Sequence, residues 1–405
     1  MNFFIFFFIF FLVLLAGYGY VGVRLIMPMQ LPAPWNSIAW ALLVALYLVP
    51  AATMFLTFNR IEADWTGLLS WVAYVGLGFF SFLFTFTLLK DMGLFGIMAF
   101  EKVRDLFAGT GTAQEAIDPE RRRLLIRGVH LSIVGVASGL TGYGIFEARR
   151  RPGIVEVAMP IARLPEAFDG FRIIQLTDIH AGLTVARPFV ETVVEMANEL
   201  RGDLIAFTGD LVDGSVARLR KEVQPVQDLT APFGKFFITG NHEYYSGAEA
   251  WVEEARRLGF DTLMNEHRVI EKDGFKIVLA GVTDIGAGGF VKSHSSDPVK
   301  SVQGSPDGLV KILLAHQPRS LDKAVEAGVD AMISGHTHGG QFFPWNLAAA
   351  LGQPYLKGLH KHGNMWVYVS KGTGYWGPPI RLGSRSEITV ITLRQAGGRT
   401  IPGVK

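Results

Sequence analysis

The sequence contains no cysteine among its 405 residues. That excludes disulfides, thiolate metal ligands and a cysteine nucleophile, so any metal must be held by nitrogen and oxygen. Net charge is nearly absent as well, formally +2, and no basic stripe interleaved with aromatics stands out. Electrostatics therefore makes no case for a stable nucleic-acid partner. Charge is also scarce in the first hundred residues, whereas the remainder has an ordinary globular composition, and hydrophobic residues reach 49% overall. No basic start precedes the first apolar run, and no small-x-small cleavage site follows the last one, so a cleaved signal peptide is not expected. The chain reads as two parts, an all-α transmembrane region over 1–150 and a globular region over 151–405.

Residues 3–23, 38–58 and 65–89 are each long and apolar enough to span a bilayer as a helix, with Trp35, Trp40, Trp65 and Trp71 near the expected interfaces. A fourth segment, 130–146, is shorter and rich in small residues such as Gly135, Ser138, Gly139 and Gly142. It is expected to span, with a buried hairpin as the alternative. Basic residues set the orientation. Lys90, Lys102, Arg104, Arg121, Arg122, Arg123 and Arg127 precede the fourth span, against Arg60 alone between the second and third. The larger cluster, with Arg24, belongs in the cytoplasm, which puts the globular region outside, although Arg149, Arg150 and Arg151 stand on that outer side. A multi-pass inner-membrane protein with a periplasmic globular region is the expectation. Arg121-Arg122-Arg123-Leu124-Leu125 ahead of a weakly hydrophobic segment also resembles a twin-arginine export signal, and an ordinary positive-inside anchor explains it equally well.

From residue 154 onward, short apolar strands alternate with amphipathic helices. Strands are expected at 171–176, 204–208, 235–239, 276–280, 310–314 and 331–334, and helices at 188–200, 251–258 and 321–327. Polar residues able to bind metal follow five of these strands. They are Thr177-Asp178-Ile179-His180, Gly209-Asp210-Leu211-Val212-Asp213, Gly240-Asn241-His242-Glu243, His316-Gln317-Pro318 and Gly335-His336-Thr337-His338-Gly339. In open α/β folds, ligands bind at the carboxyl ends of strands, which is where these groups would converge. Each motif alone is weak, since an aspartate before a turn or a histidine capping a strand is common.

The joint order Asp-x-His, Gly-Asp-x-x-Asp, Gly-Asn-His-Glu, His, Gly-His-x-His resembles the calcineurin-like metallophosphoesterase superfamily over about 171–393. With the apolar front, it is most similar to the branch of transmembrane and twin-arginine-exported metallophosphoesterases. The resemblance implies an α/β sandwich of two mixed sheets flanked by helices, and two divalent ions, manganese, iron or zinc. Asp178, His180, Asp210 and His338 would hold one ion, and Asp210, Asn241, His316 and His336 the other. Two such ions clamp a phosphoryl oxygen and lower the pKa of a bridging water. His242 would act as a non-ligand acid, while Asp213 orients His242 or the turn, or joins the metal ligands. Tyr375, Trp376 and Arg381 are candidate substrate contacts. His360 and His362, on a surface loop, read as structural residues, though of the unassigned histidines they are the ones best placed to touch substrate, and Phe342, Phe343, Pro344 and Trp345 form an apolar loop that dips toward lipid or packs.

The function so implied is a membrane-anchored phosphodiesterase, with a phosphoester substrate that tethering suggests is lipid-linked and with membrane lipids as neighbours. Two alternatives stay open. One is a pyrophosphatase of the UDP-2,3-diacylglucosamine type, which requires a cytoplasmic domain. The other is a sensor or transporter subunit with a regulatory metal domain, against which the complete ligand set and His242 both count. Oligomeric state leaves no trace in the sequence.

Overall fold

The computed structural model describes residues 3–58, 64–108 and 118–396, so Arg60 lies outside the described residues. The chain divides into two compact units, Met1–Phe146 with Pro378–Ile380, and Glu147–Gly377 with Arg381–Lys405.

The first unit is helical: α1 (Phe3–Val21), α2 (Trp35–Phe58), α3 (Asp64–Ala108) and α4 (Pro119–Arg149). All four contain a stretch long and apolar enough to cross a membrane. Because α4 is one continuous helix, the hairpin alternative for the fourth segment falls. The third helix runs 45 residues, well past the expected end at 89. Where α1 gives way to a π-helical turn, its polar residues meet those of α3: Tyr20 donates to Asp91 Oδ2 at 2.7 Å and Arg24 Nε to the same oxygen at 2.6 Å. Lys90 Nζ donates to the Arg24 carbonyl at 2.9 Å and lies 3.1 Å from His130 Nε2. These contacts gather Tyr20, Arg24, Lys90, Asp91 and His130 into one polar cluster within an otherwise apolar bundle.

The second unit carries twelve strands among the described residues. In chain order they are β1 (Gly153–Ile161), β2 (Arg172–Leu176), α5 (Arg187–Glu199), β3 (Leu204–Phe207), α6 (Val216–Val223), β4 (Lys235–Phe237), α7 (Asn241–Ser246), α8 (Ala248–Arg257), β5 (Asp261–Thr262), β6 (Glu266–Lys272), β7 (Phe275–Gly281), α9 (Pro298–Val302), β8 (Lys311–Leu314), α10 (Leu321–Glu326), β9 (Ala331–Ser334), α11 (Trp345–Gly352), β10 (Gly358–His362), β11 (Met365–Val369) and β12 (Glu387–Gln395). One sheet has the order β1-β12-β2-β3-β4-β5 and the other β10-β11-β9-β8-β7-β6. Both are mixed: β2 to β5 run parallel, as do β7, β8, β9 and β11, while β12 opposes β2, β6 opposes β7 and β10 opposes β11.

Side-chain alternation explains the layering. Leu204 and Ala206 of β3, Ile312 and Leu314 of β8, and Ala331 and Ile333 of β9 all enter one core between the sheets. Their alternate neighbours Ile205 and Phe207 pack instead with Val190, Val194, Trp251 and Ala255 of α5 and α8. On the second sheet, Leu313 and Met332 pack with Leu321 and Ala324 of α10. Strands buried on both faces must be apolar on both, which is why they read as unbroken hydrophobic runs. The expected elements between 171 and 334 are present with ends shifted by a few residues. Strands β1, β5, β6, β10, β11 and β12 were not expected. The pair β1 and β12 shows why, since it aligns Gly153 with Glu387 and no local pattern encodes a partner so distant.

Candidate metal centre

The five motifs lie just beyond the carboxyl ends of β2, β3, β4, β8 and β9. Those strands are parallel neighbours within their sheets, so the chain ends each one at the same edge. Asp178, His180, Asp210, His336 and His338 all leave their strands with positive φ, between 50° and 72°. Left-handed backbone at a non-glycine residue costs roughly 1–2 kcal/mol, so five together mark a place where surrounding structure imposes conformation for a purpose. Glycines make the crowding possible. A Cβ on Gly209, which has φ +91°, would lie 2.4 Å from the Gly240 nitrogen.

Three groups of donor atoms result: Asp178, His180 and His338; His180, Asp210 and His242; and Asp210, His316 and His336. Asp210 and His180 each belong to two groups, which joins the whole. In the first, His180 Nε2 is 3.1 Å from His338 Nε2 and 3.9 Å from Asp178 Oδ1. In the third, His316 Nε2 is 3.1 Å from Asp210 Oδ2, 3.2 Å from Asn241 Oδ1 and 3.2 Å from His336 Nδ1. Bonds of about 2.1 Å to one cation put neighbouring ligands about 3.0–3.5 Å apart, so these spacings suit shared coordination.

The tautomer of His316 suits it too. His316 Nδ1 faces the Thr208 carbonyl at 2.7 Å and must carry a hydrogen there, so its other nitrogen turns a lone pair on two oxygens and the His336 imidazole. Such a convergence of acceptors needs a cation at its centre. Without one a proton takes the place: burial disfavours the imidazolium of His316, yet Asp210 beside it outweighs burial and holds the group well above the usual histidine range. Burial raises Asp178, whereas for Asp210 burial is outweighed by His316, His242 and His180, which hold that carboxyl well below its usual range. Burial, then His316, pushes His336 down to about 3, and burial with Arg381 keeps His338 neutral; neutral imidazole is the ligating form. The residues present therefore fit divalent metal.

A supporting shell fixes these groups. Asp213 Oδ1 accepts from His180 Nδ1 at 3.1 Å and from His242 Nδ1 at 2.5 Å, which leaves both Nε2 atoms for the centre. Asp213 and Asp210 more than offset burial at His242, whose pKa rises to about 9. The His336 amide donates to both Asp178 oxygens and the His242 amide to Asp210 Oδ1. Two members of this shell carry no role in the sequence reading. Glu243 is fully buried and accepts from the amides of Asp210, Leu211 and Gly240, and Asp284 is held by Gln317 Nε2 at 2.8 Å. A legible signal existed only for Glu243, which stands three residues after Gly240 and whose carboxylate accepts from the Gly240 amide at the start of α7.

The three candidate substrate contacts separate. Trp376 is 51% exposed, with its ring 5.4 Å from that of His242. Tyr375 is buried and its hydroxyl donates to the Thr184 carbonyl at 2.8 Å. Arg381 is also buried: its Nη1 donates to the carbonyls of His338, Lys371 and Ser384, its Nη2 donates to that of Gly374 and lies 3.0 Å from His338 Nδ1. Neither side chain opens onto solvent, because each is spent on holding backbone. The ring of Tyr245, 5.0 Å from His242, joins Trp376 at the rim. His360 and His362 sit on β10 beside Tyr355, and belong to none of the three donor groups.

A sequence profile described as calcineurin-like phosphoesterase matches residues 171–340. The chain is 35% identical to a transmembrane protein with metallophosphoesterase domain from Danio rerio, over 88% of this chain and 81% of that one. It is 36% identical to a protein of the same description from Bos taurus, over the same shares, and 35% identical to an uncharacterized metallophosphoesterase of Helicobacter pylori, over 71% of this chain and 76% of that one. A solved NAD nucleotidase of Haemophilus influenzae superposes with a TM-score of 0.34 at 17% identity, over 50% of this chain and 45% of that one. Fold and relatives define a metal-dependent phosphoester hydrolase with two mixed sheets and a helical front. The chain belongs to the calcineurin-like metallophosphoesterase family.

Proposed function

We propose that this chain is a membrane-anchored phosphodiesterase with two divalent ions, hydrolysing a lipid-linked phosphodiester on the periplasmic side of the inner membrane. The observation that carries it is the convergence of seven donor residues from five strand ends, linked through Asp210. Asp178, His180, Asp210 and His338 would hold one ion, and Asp210, Asn241, His316 and His336 the other. Nitrogen and oxygen donors of this kind suit manganese, iron or zinc. When bound, the ions would supply Lewis acidity toward the phosphoryl oxygens and lower the pKa of a water between them.

The chain's own residues do the rest. His242 keeps its Nδ1 on Asp213 and turns Nε2 inward, where it donates a proton to the departing alkoxide. Asp213 positions both His242 and His180. Trp376 and Tyr245 flank His242 and offer flat apolar surface to the body of the leaving group. Arg381 and Tyr375 hold the backbone behind this rim and act as positioning residues. Four apolar helices in the same chain support a substrate drawn from the membrane. Asp210→Asn, which removes one charge from the shared ligand, is expected to lower metal-dependent hydrolysis of bis(p-nitrophenyl) phosphate by about a thousandfold. Full activity in that variant would overturn the reading.

A further inference from the structure

Directly after the metal-binding turn, residues 342–356 contain no charged side chain and no histidine. Phe342 is buried, and from there the chain emerges as α11, none of whose residues is buried. Phe343 is 41% exposed, Trp345 50%, Leu347 57% and Leu351 92%. A soluble domain gains nothing from four large apolar side chains in one short stretch facing water, and a patch of this kind marks an interaction surface.

The seat of this helix is firm. Gly340, with φ +78°, packs so close beneath it that a Cβ would lie 2.5 Å from Asn346 Cα. The Asn346 amide donates to the Phe342 carbonyl at 3.1 Å, and Thr337 Oγ1 donates to the Leu356 carbonyl at the far end of the segment. The apolar surface is thus fixed to the turn that carries His336 and His338. Gln341 continues the link, since its side chain and the Trp376 backbone exchange two hydrogen bonds, of 3.0 and 3.1 Å.

What covers α11 follows from its composition and surroundings. An aromatic and leucine-rich face with cations at its border is the pattern of a helix lying in a bilayer interface. The next charged residues along the chain are Lys357 and Lys361, both exposed, with no acidic residue between 342 and 364. Anionic headgroups complement it, and the four apolar helices of the same chain keep a bilayer within reach.

We propose that α11 with Phe343 is a membrane-docking element that inserts Trp345, Leu347 and Leu351 into the interfacial layer of an anionic bilayer and holds the metal-binding turn at the lipid surface. The element gives the lipid-linked reading above its route to substrate, and rests on that reading only for the second arm of the test.

Because the chain has no cysteine, Leu351→Cys creates a single thiol in the full-length protein. It is labelled with a polarity-sensitive fluorophore and reconstituted in phosphatidylcholine–phosphatidylglycerol nanodiscs, with Glu199→Cys, an exposed position at the end of α5, as the aqueous control. Blue-shifted emission, quenching by nitroxide-bearing lipid and protection from iodide are expected at 351 alone. Iodide quenching equal to the control would overturn the proposal, as would disulfide capture of one 351 by another, which assigns the face to a second copy. In the second arm, Leu347→Glu/Leu351→Glu is expected to lower hydrolysis of vesicle-embedded p-nitrophenyl phosphatidate on the order of tenfold, with soluble bis(p-nitrophenyl) phosphate turned over as in the parent. Equal rates on the vesicle substrate would count against docking. The fluorescence arm requires no turnover, so docking and phosphodiesterase activity can fail separately.

Discussion

Asp213 gives one oxygen to two imidazoles, and that sharing sorts the histidines of the centre by job. His180 and His242 both donate Nδ1–H to it, yet His180 points its free nitrogen at Asp178 and His338 whereas His242 lies beside Trp376 and Tyr245 at the rim. His242→Ala is therefore expected to lower kcat by about a hundred- to ten-thousandfold with metal content by elemental analysis unchanged. Loss of bound metal would make His242 a ligand. A pH effect follows with its sign. Asp213 and Asp210 raise His242 to about 9, so proton donation fails as pH rises through that value. Asp213→Asn removes a negative charge from His242, lowers its pKa and should shift the alkaline limb of the kcat profile to lower pH. An unmoved limb would assign it to another group.

At the scale of elements, the centre depends on turns that hold strand ends closer than ordinary side chains permit. Gly209 ends β3 in left-handed backbone against Gly240, and the Glu243 carboxylate ties β3 to the start of α7 through three amides. Gly209→Ala must move backbone rather than a flexible side chain. Its expected cost is about 1–3 kcal/mol of stability, read as a lowered Tm, together with weakened metal binding by titration calorimetry. An unchanged Tm and affinity would show that the close approach is slack. The five expected strand ends were legible because each combines an apolar run with a ligand motif. Strands β1, β5, β6, β10, β11 and β12 lacked such a marker, and β12 takes its place between β1 and β2 through contacts far apart in sequence.

At the scale of the molecule, the distribution of basic residues carries the topology. Arg24 and Lys90 meet at one end of the helical unit, and Arg127 donates to the carbonyls of Met29 and Gln30. On the proposed reading, the positive-inside rule would put that end in the cytoplasm, and an even number of spans would then put the catalytic unit outside. Alkaline phosphatase fused to the C-terminus should be active, and a fluorescent protein that matures only in the cytoplasm should be dark. The opposite pair of results would return the catalytic unit to the cytoplasm and favour a nucleotide-linked pyrophosphate as substrate.

The sequence by itself determined the donor inventory, its order along the chain and the apolar front, because metal ligation demands particular side chains and a bilayer demands length. Only the tertiary structure decided who meets whom. It grouped His338 with Asp178 and His336 with His316 although the two histidines are one residue apart, since left-handed backbone at both turns their rings to different neighbours. It also buried Arg381 and Tyr375 while leaving Trp376 open, a distinction no pattern within that glycine-rich segment encodes, because it depends in part on the Thr184 and His338 carbonyls, supplied from outside the segment.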